Sequence, residues 1–463
     1  MSDVTTVVNP ATEATIGDVP LHGVDETDAA VARALGAGPA WGAVAPADRA
    51  RLLRRFAAQV EGHAEELAQL ETANVGKVIG DSRDEVAMVA EVLYFYAGAV
   101  DKHRGATVPV TGGVDMTFHE PLGVVAAIVP WNFPVAITSW KVGPALATGN
   151  TIVVKPAELT PLSALRLAAL ALDAGLPEGV FQVVAGRGPV VGTRLVEHPD
   201  VAKVSFTGST GVGREVMTRA AATVKRVTLE LGGKSASVIF ADADLELAAA
   251  ATPAGVFANA GQDCCARSRV LVQRTVFDRY LELLADAVAT WTVGDPTDPC
   301  VQMGPLVSAG HRRAVEGFLA PGMGEPGGGT VDTFVQGAVP DGPGFWFPPT
   351  VVAPADPGWR LAREEIFGPV VAVIPFSDEA DAVRLANDTP YGLSGSIWTR
   401  DGSRALRVAR AIQSGNLSVN SHSSVRVQTS FGGMKQSGFG RELGLEALDS
   451  YSEVKNVFVS TGE

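Results

Sequence analysis

The chain has 463 residues, 46% of them hydrophobic and 19% charged, with a formal net charge of −14. At roughly 150 residues per domain this allows two or three domains, each with its own core. The acidic balance, with no basic stripe, speaks against a nucleic-acid partner, and no uncharged apolar run of about 18 residues predicts a membrane span.

Residues 47–103 carry a helical pattern, with Leu52, Phe56 and Val60 recurring every fourth position. A second amphipathic run, 84–102, carries Val89, Leu93 and Tyr96. From about 123 the texture changes. Strands are expected at 123–129, 151–155, 180–185, 201–206, 227–231 and 236–240, with a strong helix at 161–174. Such alternation predicts a parallel sheet covered by helices on both faces. A second α/β stretch is expected over 245–430. Residues 320–345, rich in Gly and Pro, read as a surface excursion. The final residues, 451–463, alternate Val with polar residues like an edge strand that another subunit would cover. The three cysteines, Cys264, Cys265 and Cys300, fit no disulfide framework or zinc spacing, so no metal is expected. With no secretory leader visible, they predict a reducing, cytoplasmic setting.

Six stretches carry chemistry. Gly186-Arg187-Gly188-Pro189-Val190-Val191-Gly192 is a weak dinucleotide fingerprint, equally readable as a turn. Phe206-Thr207-Gly208-Ser209-Thr210-Gly211 is stronger. Its glycines let a pyrophosphate approach the backbone, and a helix N-terminus supplies free N–H groups. Lys155 and Glu158 follow a strand end, where an acid suits ribose hydroxyls and repels a 2′-phosphate. This favours NAD over NADP; the plain alternative is a surface salt bridge. Cys264 and Cys265 sit in a polar, small-residue loop, and either could be a nucleophile. Glu230 ends a strand and could be a general base or an ion-pair partner. Asn132, in Pro130-Trp131-Asn132-Phe133-Pro134, could donate to an oxyanion or simply form a turn. Together these supply a nucleotide site, a thiol, an amide donor and a carboxylate.

Seven ordered motifs resemble the aldehyde dehydrogenase superfamily over nearly the whole chain. They are 130–134, Lys155-Pro156-Ala157-Glu158, 206–210, Glu230-Leu231-Gly232-Gly233-Lys234, Gly261-Gln262-Asp263-Cys264, Glu364-Glu365-Ile366-Phe367-Gly368-Pro369-Val370, and Phe431-Gly432-Gly433-Met434-Lys435-Gln436-Ser437-Gly438. The resemblance implies two doubly wound open-sheet domains: a Rossmann-like cofactor domain (1–103 and 124–232) and a catalytic domain (233–445). It adds a small β oligomerisation arm (104–123 and 446–463) and a homodimer or homotetramer. It selects Cys264 over Cys265 as nucleophile, Glu230, 34 residues earlier, as base, and Asn132 as oxyanion donor. It places Lys155 and Glu158 at the adenosine ribose, Gly208 and Ser209 at the pyrophosphate, and Glu365 and Phe367 at the nicotinamide riboside. Trp131 and Gly188 fall to the adenosine side. The implied reaction is NAD-dependent oxidation of an aldehyde to a carboxylate through a hemithioacetal and a thioester.

The run 259–264 is similar to that of bacterial aminoaldehyde dehydrogenases. If Asp263 faces the pocket it would pair with a substrate ammonium, with Phe133 and Trp140 adding cation–π contact. The alternatives are that Asp263 points away and caps its loop, or that the pocket is a broad one for aliphatic or aromatic aldehydes. A cofactor-free thiol hydrolase would leave the nucleotide motifs unexplained and has no His in motif-like relation to Cys264.

Overall fold

A computed structural model describes residues 3–320 and 333–462. Three helices, Pro46–Gly62, Ala64–Val75 and Ile79–Ala99, take up the helical pattern of 47–103, the third covering most of the expected run 84–102. Pro46 supplies the preset φ of a first helical turn, and Gly76, at φ +86°, ends the second. Their apolar stripes, including Leu53, Phe56, Val60, Val89, Leu93 and Tyr96, are fully buried in the largest core.

The first sheet has six strands in the spatial order Gly438–Phe439, Arg226–Glu230, Val201–Thr207, Val124–Ile128, Thr151–Lys155, Phe181–Val183. The last five are parallel. Their near-continuous Val, Ile and Ala runs are buried on both faces, as covered parallel strands require. The second sheet runs Thr333–Gln336, Thr350–Val352, Val370–Phe376, Arg269–Gln273, Ala236–Ile239, Ser394–Trp398, Asn416–Val419. It has its own core around Val238, Leu271, Val373 and Ile397. The third is a three-stranded antiparallel sheet, Ser452–Ser460 beside Gly113–Pro121 beside Thr107–Val110.

Three features depart from the sequence expectation. Val4–Val8 and Thr15–Pro20 form a hairpin and Val24–Gly42 a helix, where no element was expected. That helix is Ala- and Gly-rich with Pro39 inside it, which blurs its periodicity. Of the excursion at 320–345, residues 321–332 lie outside the described residues, but 333–336 form an edge strand on the second sheet. Finally, Gly438–Phe439 returns from the C-terminal part of the chain to pair with Leu229 and Glu230 in the first sheet. At Gly438, φ is +113°, and a Cβ would fall 1.9 Å from the Leu229 carbonyl oxygen, so only glycine fits this crossing.

Candidate active site

In the first sheet the chain runs from Val124–Ile128 outward through Thr151–Lys155 and Phe181–Val183. It then crosses to the other side for Val201–Thr207 and Arg226–Glu230. The crevice beyond the carboxyl ends at this reversal is where open α/β sheets bind ligands. The segments leaving there are 130–133, 155–158, 208–209 and 231–233, four of the motif stretches.

A cavity of about 240 Å³ opens at this point, lined by Trp131, Asn132, Phe133, Ile137, Gly208, Ser209, Glu230, Leu231, Cys264, Glu365 and Phe367 among others. Cys264 reaches it from the loop after the helix Leu245–Phe257. Three consecutive residues, Asn259, Ala260 and Gly261, take positive φ values of 49°, 55° and 69°. A Cβ at Gly261 would lie 2.3 Å from the Gly368 carbonyl group, so the loop is pressed against the 364–370 motif. Left-handed conformations at non-glycine residues are costly and cluster at functional sites. The adjacent cysteines differ in placement: Cys264 lines the cavity, whereas Cys265 is buried in the main core. The Cys265 thiol and then burial hold the Cys264 thiol well above its ordinary pKa. Attack therefore needs a nearby proton acceptor.

Glu230 is 4% exposed and lines the same cavity, and neither carboxylate oxygen has a hydrogen-bond partner among the described residues. Burial first, then the Glu442 carboxylate, push its pKa well up, opposed by Lys141 and Arg441. A buried, unpaired carboxyl with a raised pKa beside a thiol has the signature of a proton-transfer group. Lys141 donates to Thr207 Oγ1 at 2.8 Å, to Ser205 Oγ at 3.1 Å and to the Glu442 carboxylate. This fully buried network beneath Glu230 escaped the sequence reading. Its two charged members stand 301 positions apart and carry no spacing signal.

Asn132 Nδ2 donates to the Gln262 carbonyl at 2.9 Å. Asn259 Nδ2 donates to the Asn132 carbonyl at 3.1 Å, and Gln262 Oε1 accepts from Val307 N at 2.8 Å. These amides tie the 130–133 turn to the nucleophile loop. An amide nitrogen has two N–H groups, so one remains to serve an oxyanion beside Cys264.

The cofactor-side residues sit along the same crevice. Ser209 caps the helix Thr210–Ala220, its Oγ accepting from Val212 N. That leaves the hydroxyl hydrogen and the free N–H groups of the first turn for a phosphate. Lys155 is buried at its strand end, with Glu158 Oε1 3.9 Å from Nζ; the same oxygen accepts from Gly188 N at 2.8 Å. Gly188 with Ile128, Phe206, Val212 and Val216 lines a slot of about 180 Å³, suited to a flat base. Glu365 accepts from Gly233 N at 2.9 Å, and burial pushes its pKa up to about 7. A dinucleotide therefore fits: base slot, ribose-facing acid, helix N-terminus and catalytic cavity follow one another along the sheet.

Two residues, Trp131 and Trp140, lie elsewhere than the sequence suggested, and the open question of Asp263 closes on its loop. Trp131 lines the catalytic cavity, edge-on to Phe367 at 5.2 Å, not the adenosine slot. Trp140 points into the core against Phe431, because the helix Pro134–Ala147 is buried on all sides. Asp263 does not line the cavity. Its Oδ1 accepts from Cys265 N at 2.8 Å and closes the turn that carries the nucleophile. Phe133 does line it, with Lys77 Nζ 4.4 Å above its ring.

The family model described as the aldehyde dehydrogenase family matches residues 2–457. The chain belongs to the aldehyde dehydrogenase family. It is 42% identical over 459 residues to the NADP/NAD-dependent aldehyde dehydrogenase PuuC of Escherichia coli, covering 98% of this chain and 92% of the relative. It is 43% identical to phenylacetaldehyde dehydrogenase of Pseudomonas fluorescens, covering 98% and 92% respectively. The crystal structure of betaine aldehyde dehydrogenase from Staphylococcus aureus in complex with NAD+ superposes with a TM-score of 0.95 at 36% identity, covering 99% of this chain and 92% of that one. Among the described residues, no helix is long and apolar enough to cross a membrane.

Proposed function

We propose that this chain oxidises an aldehyde to a carboxylate with NAD, Cys264 acting as nucleophile, Asn132 as oxyanion donor and Glu230 as base. The observation that carries it is the convergence of a thiol and an unpaired buried carboxyl on one cavity at the sheet's switch point. The Cys264 sulfur attacks the carbonyl carbon as its proton leaves to a base. The Asn132 amide and the Cys264 backbone N–H hold the resulting oxyanion. Bound NAD supplies the acceptor for the hydride that the hemithioacetal carbon gives up. The thioester left on Cys264 is hydrolysed by a water that Glu230 deprotonates, releasing the carboxylate and restoring the thiol.

NAD is favoured over NADP because Glu158 stands beside Lys155 where a ribose is held. A 2′-phosphate there would face a carboxylate. The PuuC relative uses both cofactors, so this preference is one of degree.

The substrate reading follows the lining. Trp131, Phe133, Ile137, Leu231 and Phe367 make the cavity wall apolar, and Asp263 is turned into its loop. That favours neutral aliphatic or aromatic aldehydes. An aminoaldehyde would find ring faces and no carboxylate beyond Glu230 and Glu365, which serve as base and at the cofactor in this reading. NADH production from paired cationic and neutral aldehydes of matched length tests this, run with NAD and with NADP. Neutral members are expected to be faster, and Asp263→Asn should leave the ratio unchanged. A marked preference for 4-aminobutyraldehyde that Asp263→Asn abolishes would reverse the assignment. No NADH from any member would remove the catalytic reading itself.

Asn132→Ala should cut turnover by about 10²- to 10³-fold, equivalent to about 3–4 kcal/mol. Aldehyde KM and NAD affinity should change far less. Equal losses in kcat and in cofactor binding would instead mark a collapsed 130–133 turn.

The arm reading supports a homo-oligomer. Ser452–Ser460 lies at an edge of its sheet with Val454, Phe458 and Val459 exposed. An apolar edge of this kind is normally covered by a partner strand.

A further inference from the structure

Away from the oxidising site, three segments bring metal-ligating side chains together at the base of the arm. His103 follows the helix Ile79–Ala99, His119 lies in the strand Gly113–Pro121, and Asp449 lies in the turn before Ser452–Ser460. One donor atom from each lies within 4.8 Å of the other two. His103 Nε2 and Asp449 Oδ1 are 2.8 Å apart. The two imidazole rings have centroids 3.7 Å apart, and His119 Nδ1 is 3.4 Å from Ser452 Oγ.

A neutral imidazole offers one nitrogen lone pair for coordination. Two imidazole nitrogens and one carboxylate oxygen are donors of the zinc class. Around a tetrahedral ion at about 2.0–2.2 Å, neighbouring donors stand roughly 3.4 Å apart. The present spacing needs only small side-chain rotations to reach this.

A cavity of about 180 Å³ adjoins the cluster, lined by Arg49, His103, His119, Thr148 and Ser452, and offers an entry path. Arg49 is 9% exposed, its Nε has no partner, and it pairs with no carboxylate among the described residues. A bare dication would be disfavoured beside that guanidinium. An ion with three protein ligands and an anionic fourth ligand, chloride or hydroxide, would satisfy both the ion and the arginine.

We propose that His103, His119 and Asp449 bind a divalent ion of the zinc class, with an open fourth position facing the Arg49 cavity. The ion fastens the arm to the segment that follows the helix Ile79–Ala99. Ligands so distant in sequence gain the most from being bridged, and binding to the folded chain alone raises its stability.

The test must separate this site from the thiols, because Asp263, Cys264 and Cys265 could also hold zinc. Tag-free, chelator-stripped full-length protein carrying Cys264→Ser and Cys265→Ser is titrated with Zn²⁺ against a chromophoric chelator. One equivalent per chain is expected, with X-ray absorption showing imidazole nitrogen in the first shell at about 2.0 Å. His103→Gln and His119→Gln should each weaken binding at least tenfold and erase the zinc-dependent rise in Tm. Asp449→Asn, at an exposed side chain, carries the same expectation should a histidine variant fail to fold. No bound zinc in the thiol-free protein, or unchanged binding in the folded ligand variants, would overturn the site and leave an ordinary His103–Asp449 pair.

Discussion

Glu230→Gln should produce one equivalent of NADH per active site and then stall. Acylation of Cys264 and hydride loss need the thiol proton to leave, which solvent water can accept, together with the amide donors and NAD, whereas hydrolysis of the thioester needs a positioned base. General-base assistance is worth about 10²- to 10⁴-fold, so steady-state turnover should fall by that factor while the burst persists. The measurement is rapid-mixing NADH absorbance with substrate in excess. Full steady-state turnover would remove Glu230 from its role. Loss of the burst as well would make it the base that deprotonates Cys264. The wild-type pH profile is a companion reading. Burial and Glu442 raise the Glu230 pKa, and only its ionised form accepts a proton. Deacylation should therefore fall with decreasing pH from a point well above the ordinary carboxylate range. A limb near 4 would show a solvated carboxyl instead.

Cys264→Ala should abolish both burst and turnover, on the order of 10⁶-fold as for other nucleophile deletions. Cys265→Ala should retain both burst and turnover, because its side chain belongs to the core rather than the cavity, and loss of its thiol removes the first cause holding the Cys264 pKa up. NAD titration of Cys264→Ala, followed by fluorescence quenching, should show near-normal affinity, since the cofactor-side residues belong to other segments. Residual NADH production in Cys264→Ala, lost only on adding Cys265→Ala, would transfer the nucleophile by one position.

The parallel strands were legible because each is a short run of Val, Ile and Ala bounded by Gly, Pro or a polar turn. Thr151–Lys155 matches its expected bounds, and the others shift by one or two residues. That Cys264, Glu230 and Asn132 would meet was legible because each stands at a loop or strand end inside a dense motif, and all three line one cavity. What stayed hidden depends on long-range meetings. Lys141 reads as one residue of an apolar helix, and nothing local announces that Glu442 meets it. Asp263 stayed open between pocket and loop for a related reason: adjacency to Cys264 in sequence says nothing about direction, and the turn uses its carboxylate. The histidine cluster at 103, 119 and 449 follows the same rule, as no spacing motif can join residues from three segments.

The small strand Gly438–Phe439 bears on how this protein can be taken apart. The chain leaves the first sheet after Glu230, builds the whole second sheet, and comes back to lie beside Glu230. The same return brings Glu442 under the base through Lys141. A fragment ending near residue 232 would therefore have a bare sheet border at its catalytic carboxylate and an unneutralised Lys141 in its interior. The nucleotide-binding half is not a separable module that could be grafted or produced alone. Its last structural piece is translated some two hundred residues later, so the base reaches its working environment only when almost all of the polypeptide has been made.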